Sequence, residues 1–494
     1  MKKQLFLMLL SVVVTTSSSV LGQMDVERAI IKSLSHDPSI RRIYSDVTDA
    51  EGFSIKTRAD LLPQISIEGR VGAALRDTTF NQTQGQGDML FSRRASIVGR
   101  QQLWNWNSDW YRYQDSKHRI LAKENLDKEQ RETTAILTVA AFLDVIRARK
   151  QLELAEDSAE VHGSIPELAE KRAAAAGNQA DVELSKARYD LSRTLVMERR
   201  LSLRQAEVSF ARWVGERPPA HMIVPKTPRI ASLGEIDPRK NFHYIATTKQ
   251  HEAALLEKKS IERKFGPRFY FEASAGVGQD VAGQRGRDND ASFMLVGSFD
   301  LFDGGRKKGE LIQAIADVNR QLAITEETIV LLNEDIGARW EDYRSIGQRI
   351  AALKTYSGEL ARTVSLYREQ FNLGTRPLLS LLDVQNELIS ASVRIADAQR
   401  DRTYLGYRLL YFGGRLLRET VGERYLTATP QSDSKSLKPI SKNPKSFAST
   451  SIPTEPATEI TVPKLNAKLD EKPLGKAVSQ MFRTTPDLRA AVSR

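Results

Sequence analysis

After Pro63 the chain alternates strictly. Ile65, Ile67, Gly69, Val71, Ala73 and Leu75 fall on one side of an extended chain, and Ser66, Glu68, Arg70, Gly72 and Ala74 on the other. That period of two is the signature of a half-buried strand. The pattern returns after Pro267, where Phe269, Phe271, Ala273, Ala275 and Val277 interleave with Tyr270, Glu272, Ser274, Gly276 and Gly278. Each strand leads into a polar, glycine-rich loop, residues 77–89 and 279–290, and then into a second strand. The first partner strand covers residues 91–104. The second alternates Phe293, Leu295, Gly297, Phe299 and Leu301 with Met294, Val296, Ser298, Asp300 and Phe302. About ten residues per strand is enough to cross a bilayer at a tilt.

Beyond each hairpin the period becomes helical. From Leu311 a 4-3 spacing of apolar positions runs to Phe371, and only Thr325, Arg339 and Ser357 interrupt it. A coiled-coil seam of that length spans roughly 90 Å at 1.5 Å per residue. The corresponding stretch from Ser108 to Ala176 keeps Ile136, Val139, Leu143 and Ile146, then meets Gly163 and Pro166, where a kink is expected. Gly177 and Gly374 each begin a turn into another helix.

Proline, strands, long helix and glycine turn thus occur twice, about 200 residues apart. A repeated unit of two strands and long helices cannot bury its own surfaces. It must pack on its copy and on other chains. The expected organisation is a first repeat at 23–215, helical from residue 24 to 60 with a break at Ser35-His36-Asp37-Pro38. A Pro/Gly-rich linker follows at 216–238 and a second repeat at 239–425. Residues 426–494, rich in Ser, Thr, Pro and Lys, are expected to be a disordered tail with a short helix near residues 478–482.

Composition narrows the function. Lys2 and Lys3 precede a ten-residue apolar run and a small-residue site at Gly22, which predicts a cleaved signal peptide over residues 1–22 and export. That run is too short to span a bilayer, and no later segment supplies an inner-membrane helix. Cysteine is absent, which removes disulfides and thiolate metal sites. The net charge of +11 is spread over helices also rich in Glu and Asp, with no basic stripe interleaved with aromatics, so nucleic acid is not an expected partner. The six histidines fall in different elements without metal-ligand spacing, and residues 303–309 lack the Gly-Lys-Ser/Thr end of a phosphate loop. No enzyme activity, metal or cofactor is expected. Two half-buried hairpins could also belong to a soluble sheet; export and the repeat favour the membrane reading. Four strands are too few to close a barrel, and an open edge in lipid leaves unpaired backbone groups. The hairpins therefore need partner chains.

The doubled hairpin-plus-helix unit, the run LFDGG at residues 301–305 and the run FNLGTRPLLSLLDVQNEL at residues 371–388 resemble the TolC family of outer-membrane channel proteins. The resemblance covers residues 24–419. It implies a mixed α+β membrane protein, in which a long antiparallel coiled-coil α-barrel continues into a transmembrane β-barrel. It further implies a homotrimer with four strands per chain and twelve in all, in the outer membrane with its helical tunnel in the periplasm. Glu68, Arg70, Glu272, Ser274, Ser298 and Asp300 would face a water-filled lumen, and Ile67, Val71, Phe271, Phe293 and Leu295 the lipid. The strand–helix junctions would be Trp104 in the first copy and Phe302, Asp303, Gly304 and Gly305 in the second. Trp104, Trp106, Trp110 and Tyr111 fit either an interfacial aromatic belt or packing of the helix start.

The resemblance also implies a gate at the tip turns, Gly177 on one side and Gly374 and Thr375 on the other. Arg376 matches the arginine that ties neighbouring helices together. Asp383 matches the inner acidic position of the constriction, and Ser380 stands where the family's best-known pattern has a second acid. A ring of three carboxylates, not six, implies a weaker cation-selective field. Glu183, six residues after Gly177, matches the acidic partner of the arginine, so Glu183–Arg376 is the expected lock. The expected function is a passive exit duct for a tripartite exporter, joined to an inner-membrane ABC or proton-driven transporter through a periplasmic adaptor (membrane fusion protein). The run at residues 374–388 points to type I protein secretion. Small-molecule or multidrug efflux is the alternative, and a pore-less exported coiled coil is the third reading.

Overall fold

The computed structural model describes residues 23–75, 89–176 and 179–427. They fall within one unit of the chain, Met1–Ser432. The expected signal peptide, the first hairpin loop, Gly177 and the tail with its short helix lie outside the described residues.

Two short helices open the chain, α1 at Val26–His36 and α2 at Pro38–Ala59. Asp37 makes the break between them: its carboxylate accepts from Ser39 N at 2.9 Å, an N-cap directly before a proline at the first helical position. The first hairpin follows as β2 (Gln64–Ala74) and β3 (Leu90–Trp104), with β1 (Gln23–Met24) ahead of α1. Two helices come next, α3 (Ser108–Ala176) and α4 (Gln179–Val214). The second half repeats the order: α5 (Phe242–Lys264), β5 (Arg268–Gln279), β6 (Arg287–Ser298), α6 (Arg306–Asn372) and α7 (Leu378–Phe412). At 69 and 67 residues, α3 and α6 are each about 100 Å long.

The seam read from the sequence is buried as its spacing requires. Every seam position from Thr325 to Phe371 is buried or half-buried, whereas Ile315 and Leu322, nearer the sheet, are exposed in the single chain.

The structure adds to the sequence reading in four places. Helix α3 runs unbroken through Gly163 and Pro166. Ile165 and Ala169 are buried with Val182 of α4 around the proline, and this packing offsets the missing backbone donor. The second hairpin loop is shorter than expected. β5 extends to Gln279, and Asp280 closes the turn by accepting from Gly286 N at 2.8 Å, so β6 starts at Arg287. β6 ends at Ser298, so Asp300 lies beyond the strand, 3.7 Å from Arg268 at the base of the sheet, and Leu301 and Phe302 are about nine-tenths exposed. The segment taken as a linker carries β4 (His221–Met222), which pairs in parallel with β1. Two residues at each end gave no periodicity to read.

The largest core lies where the halves meet at mid-length. It joins α1, α3, the end of α4, the end of α7 and a short helix α8 (Leu416–Thr420), around Phe142, Phe210, Leu409, Leu416 and Leu417. Phe142 and Phe210 lie 6.2 Å apart, ring to ring. Asn241 caps α5 and also donates to Phe412 O at 3.2 Å, tying the start of the second half to its end.

Candidate functional site

The four longer strands form one antiparallel sheet in the order β2-β3-β5-β6. Register carries side chains of like character across it. One face presents Ile65, Ile67 and Val71 of β2, Ile97 of β3, Phe271 of β5 and Phe293 and Leu295 of β6, all exposed. The other face is charged and paired. Arg70 meets Glu68 at 3.0 Å, Arg100 meets Glu272 at 2.6 Å, and Arg94 bridges Asp288 at 3.1 Å and Asp290 at 2.5 Å. Ser274 and Ser292 share a hydrogen bond at 2.8 Å between them. Glu68, Arg70 and Glu272 thus share one face. Arg94, Arg100, Asp288 and Asp290 were missed. The alternation of β3 holds these arginines in phase with Ser92 and Ser96, but Arg93 and Val98 each break it, and Asp288 and Asp290 were read as loop.

At the base of the sheet the two junctions differ. In the second half Asp303 turns the chain into α6: its carboxylate accepts from Gly305 N at 3.0 Å and Lys307 N at 2.9 Å. Gly304 and Gly305 both take left-handed backbone there. In the first half Trp106 and Asn107 take that conformation, and Trp104 stands edge-on to Trp106 at 6.0 Å. Trp104, Trp106 and Trp110 are all exposed. Beneath lies a polar cavity of about 450 Å³ lined by Asp109, Arg112, Asp115, Arg119 and Glu257. Burial pushes the Asp115 carboxyl up to about 6, against the opposing pull of Arg119 at 2.8 Å.

At the other end of the helices a small apolar cluster of Ile165, Ala169, Val182, Phe371, Leu378, Leu381 and Leu382 joins all four long helices. The turn between α6 and α7 sits on it. Gly374 has a φ of 80°, a left-handed conformation that favours glycine. Thr375 closes the turn, its N and hydroxyl both donating to Gln370 O at 3.0 Å. Arg376 donates to Gln370 Oε1 at 3.0 Å and lies over the Tyr367 ring at 3.8 Å. Arg172 of α3 reaches across from the first half. It donates to Gly374 O at 3.1 Å and Arg376 O at 3.3 Å, and covers the Phe371 ring. Asp383 is exposed with Arg188 of α4 3.9 Å away, Ser380 is half-buried, and Glu183 is exposed. One chain does not bring Glu183 and Arg376 together as an ion pair. The sequence reading missed Arg172 and Arg188, because both sit in helices dense with other charges.

Residues 245–405, from α5 to α7 through the second hairpin and its tip, match the outer membrane efflux protein family. The chain is 22% identical over 324 residues to the outer membrane efflux protein BepC of Brucella suis biovar 1 (strain 1330), covering 64% of this chain and 70% of BepC. Its fold superposes with a TM-score of 0.72 on a membrane protein from Pseudomonas aeruginosa, at 18% identity, over 82% of this chain and 92% of that one. The outer-membrane channel OprN gives 0.70 at 19% identity, over 81% and 91%. The TolC resemblance drawn from LFDGG and the residue 371–388 run therefore holds at the level of fold, and the second half of the chain carries the match to the outer membrane efflux protein family. Among the described residues no helix is long and apolar enough to cross a membrane. One face of the four-stranded sheet is apolar and exposed.

Proposed function

We propose that this protein is the exit duct of a tripartite exporter, a homotrimer in the Gram-negative outer membrane that conducts cargo passively. One observation carries the reading. A four-stranded sheet with an exposed apolar face and a paired, charged face leads directly into helices about 100 Å long, and neither β2 nor β6 has a further partner strand among the described residues. In lipid, open strand edges leave several unpaired backbone groups. Three copies related by rotation pair β6 of one chain with β2 of the next and close a twelve-stranded barrel, with the apolar face to lipid and Glu68, Arg70 and Glu272 to the lumen. The repeated order of elements, an internal duplication in this reading, lets each half supply two strands and two helical columns.

The helices then form a periplasmic tunnel closed at the tip. There Asp383 and Ser380 line the constriction, and Glu183 locks to Arg376 across neighbouring helices. A periplasmic adaptor and an inner-membrane ABC or proton-driven transporter complete the exporter. Two cargo classes each have support. The run at residues 374–388 favours type I protein secretion, and the likeness to an efflux protein favours small molecules. Outer-membrane fractions run without boiling test the duct directly: a band at three times the chain mass is expected, with stepwise conductance in planar bilayers. A monomeric, non-conducting protein would reject the duct. The cargo is decided by deletion, with loss of a secreted protein on one side and drug hypersensitivity on the other.

A further inference from the structure

The apolar face of the sheet changes character toward its loop end. Nearest the helices its rows across the four strands read Ile65–Gly99–Ala273–Phe293 and then Ile67–Ile97–Ala275–Ala291. The next row is Gly69–Ala95–Val277–Asn289, and the one beyond it Val71–Arg93–Gln279–Arg287. Two arginines thus enter the apolar face, on β3 and β6. With neighbouring strands about 4.8 Å apart, their backbones are roughly 10 Å apart, close enough for both side chains to meet one group.

The arginines of the opposite face, Arg70, Arg94 and Arg100, are all held by carboxylates. Arg93 and Arg287 make no ion pair among the described residues. Between them is an open depression of about 690 Å³. Gly69 and Ala95 keep its floor low, and Val71 and Val277 stand beside it. Arg93, Arg287, Gln279 and Asn289 line it from the apolar face, and the carboxylate-paired Arg70 and Arg94 also border it. Charge on a lipid-facing strand is tolerated near the interface and not at mid-bilayer. A guanidinium offers a planar fork of donors that matches phosphate oxygens.

We propose that this depression binds a phosphorylated lipid of the outer leaflet, with Arg93 and Arg287 on the headgroup phosphate and an acyl chain along the apolar rows beneath. Gln279 and Asn289 supply further donors to the headgroup. The proposal rests on the barrel reading above, which puts this face against lipid and the loop end outside the cell.

The test uses the full chain, purified in detergent and delipidated, with binding read by native mass spectrometry. The probes are a bis-phosphorylated glucosamine lipid, the same lipid without phosphates, and inorganic phosphate. One phosphorylated lipid per chain is expected, with the phosphate-free lipid at least tenfold weaker and no competition by millimolar phosphate. Arg93→Gln combined with Arg287→Gln weakens binding tenfold or more, and Arg93→Lys combined with Arg287→Lys retains most of it. Arg100→Gln, on the opposite face and outside the depression, leaves it unchanged. Wild-type binding by the double glutamine variant overturns the proposal, as does equal weakening by Arg100→Gln. Competition by inorganic phosphate also overturns it, because the site would then hold a free ion. A preparation that conducts in bilayers while its lipid binding ignores Arg93 and Arg287 refutes the lipid site alone. One that neither conducts nor oligomerises refutes the barrel.

Discussion

Arg172 holds the tip turn of the opposite half, its Nη2 donating to Gly374 O at 3.1 Å while the same guanidinium lies 4.8 Å from the Phe371 ring centre. The contact couples α3 to the turn between α6 and α7, so the tip cannot open without breaking it or carrying α3 along.

Replacing Arg172 by Ala should therefore raise single-channel conductance in planar bilayers. Arg376→Glu should do the same if the proposed lock forms between helices. Conductance at the wild-type level for both variants would mean that closure is held elsewhere. Thermal stability should change little, since the tip contributes a small cluster and the main core is distant.

Two glycines separate conformational strain from steric overlap. Gly374→Ala meets no atom within 4 Å and carries only the left-handed backbone penalty, about 1 kcal/mol. Gly414→Ala has a φ of 63° and would also bring a Cβ to 2.5 Å from Lys240 O, a backbone atom with no room to move. Its cost should exceed that of Gly374→Ala, at about 2 kcal/mol or more. Melting temperatures of the two variants check the order.

Glu132 is fully buried, accepts from Leu417 N at 3.1 Å, and is pushed up from 4.5 to about 8, first by burial and then by the charge of Glu129. The folded chain keeps this proton while the unfolded chain releases it. Its stabilising contribution is therefore complete below about pH 4.5 and is lost as the pH rises to about 8. At ~1.4 kcal/mol per unit of separation the loss amounts to a few kcal/mol. Glu132→Gln should flatten the stability profile across that window and melt above the parent at pH 8. Denaturation at a series of pH values measures this, and parallel profiles would refute it.

Phe142→Ala should cost about 3–5 kcal/mol, because the ring is fully buried against Phe210 in the core that joins the halves. Leu301→Ala, at 89% exposure in the single chain, should change monomer stability by less than about 0.5 kcal/mol. Denaturant midpoints compare the two.

What the sequence determined by itself were the features with a period or a fixed local chemistry. Alternation after Pro63 and Pro267 assigned two strands and their faces, and the 4-3 spacing from Leu311 to Phe371 assigned a helix and its buried side. The Asp37 cap and the Asp303-Gly304-Gly305 turn depend on hydrogen bonds within four residues, so they too were legible. Tertiary structure alone decided the rest, since it turns on partners in other elements, up to 285 residues away. Packing around Ile165 and Ala169 carries α3 through Pro166. Arg94 finds Asp288 and Asp290 only because β3 lies beside β5 and β5 beside β6. Glu132 keeps its proton because the assembled core buries it, against the pull of the Leu416 and Leu417 amides of α8. Charge has no period along a chain, and which side chain answers it depends on which strands and helices become neighbours.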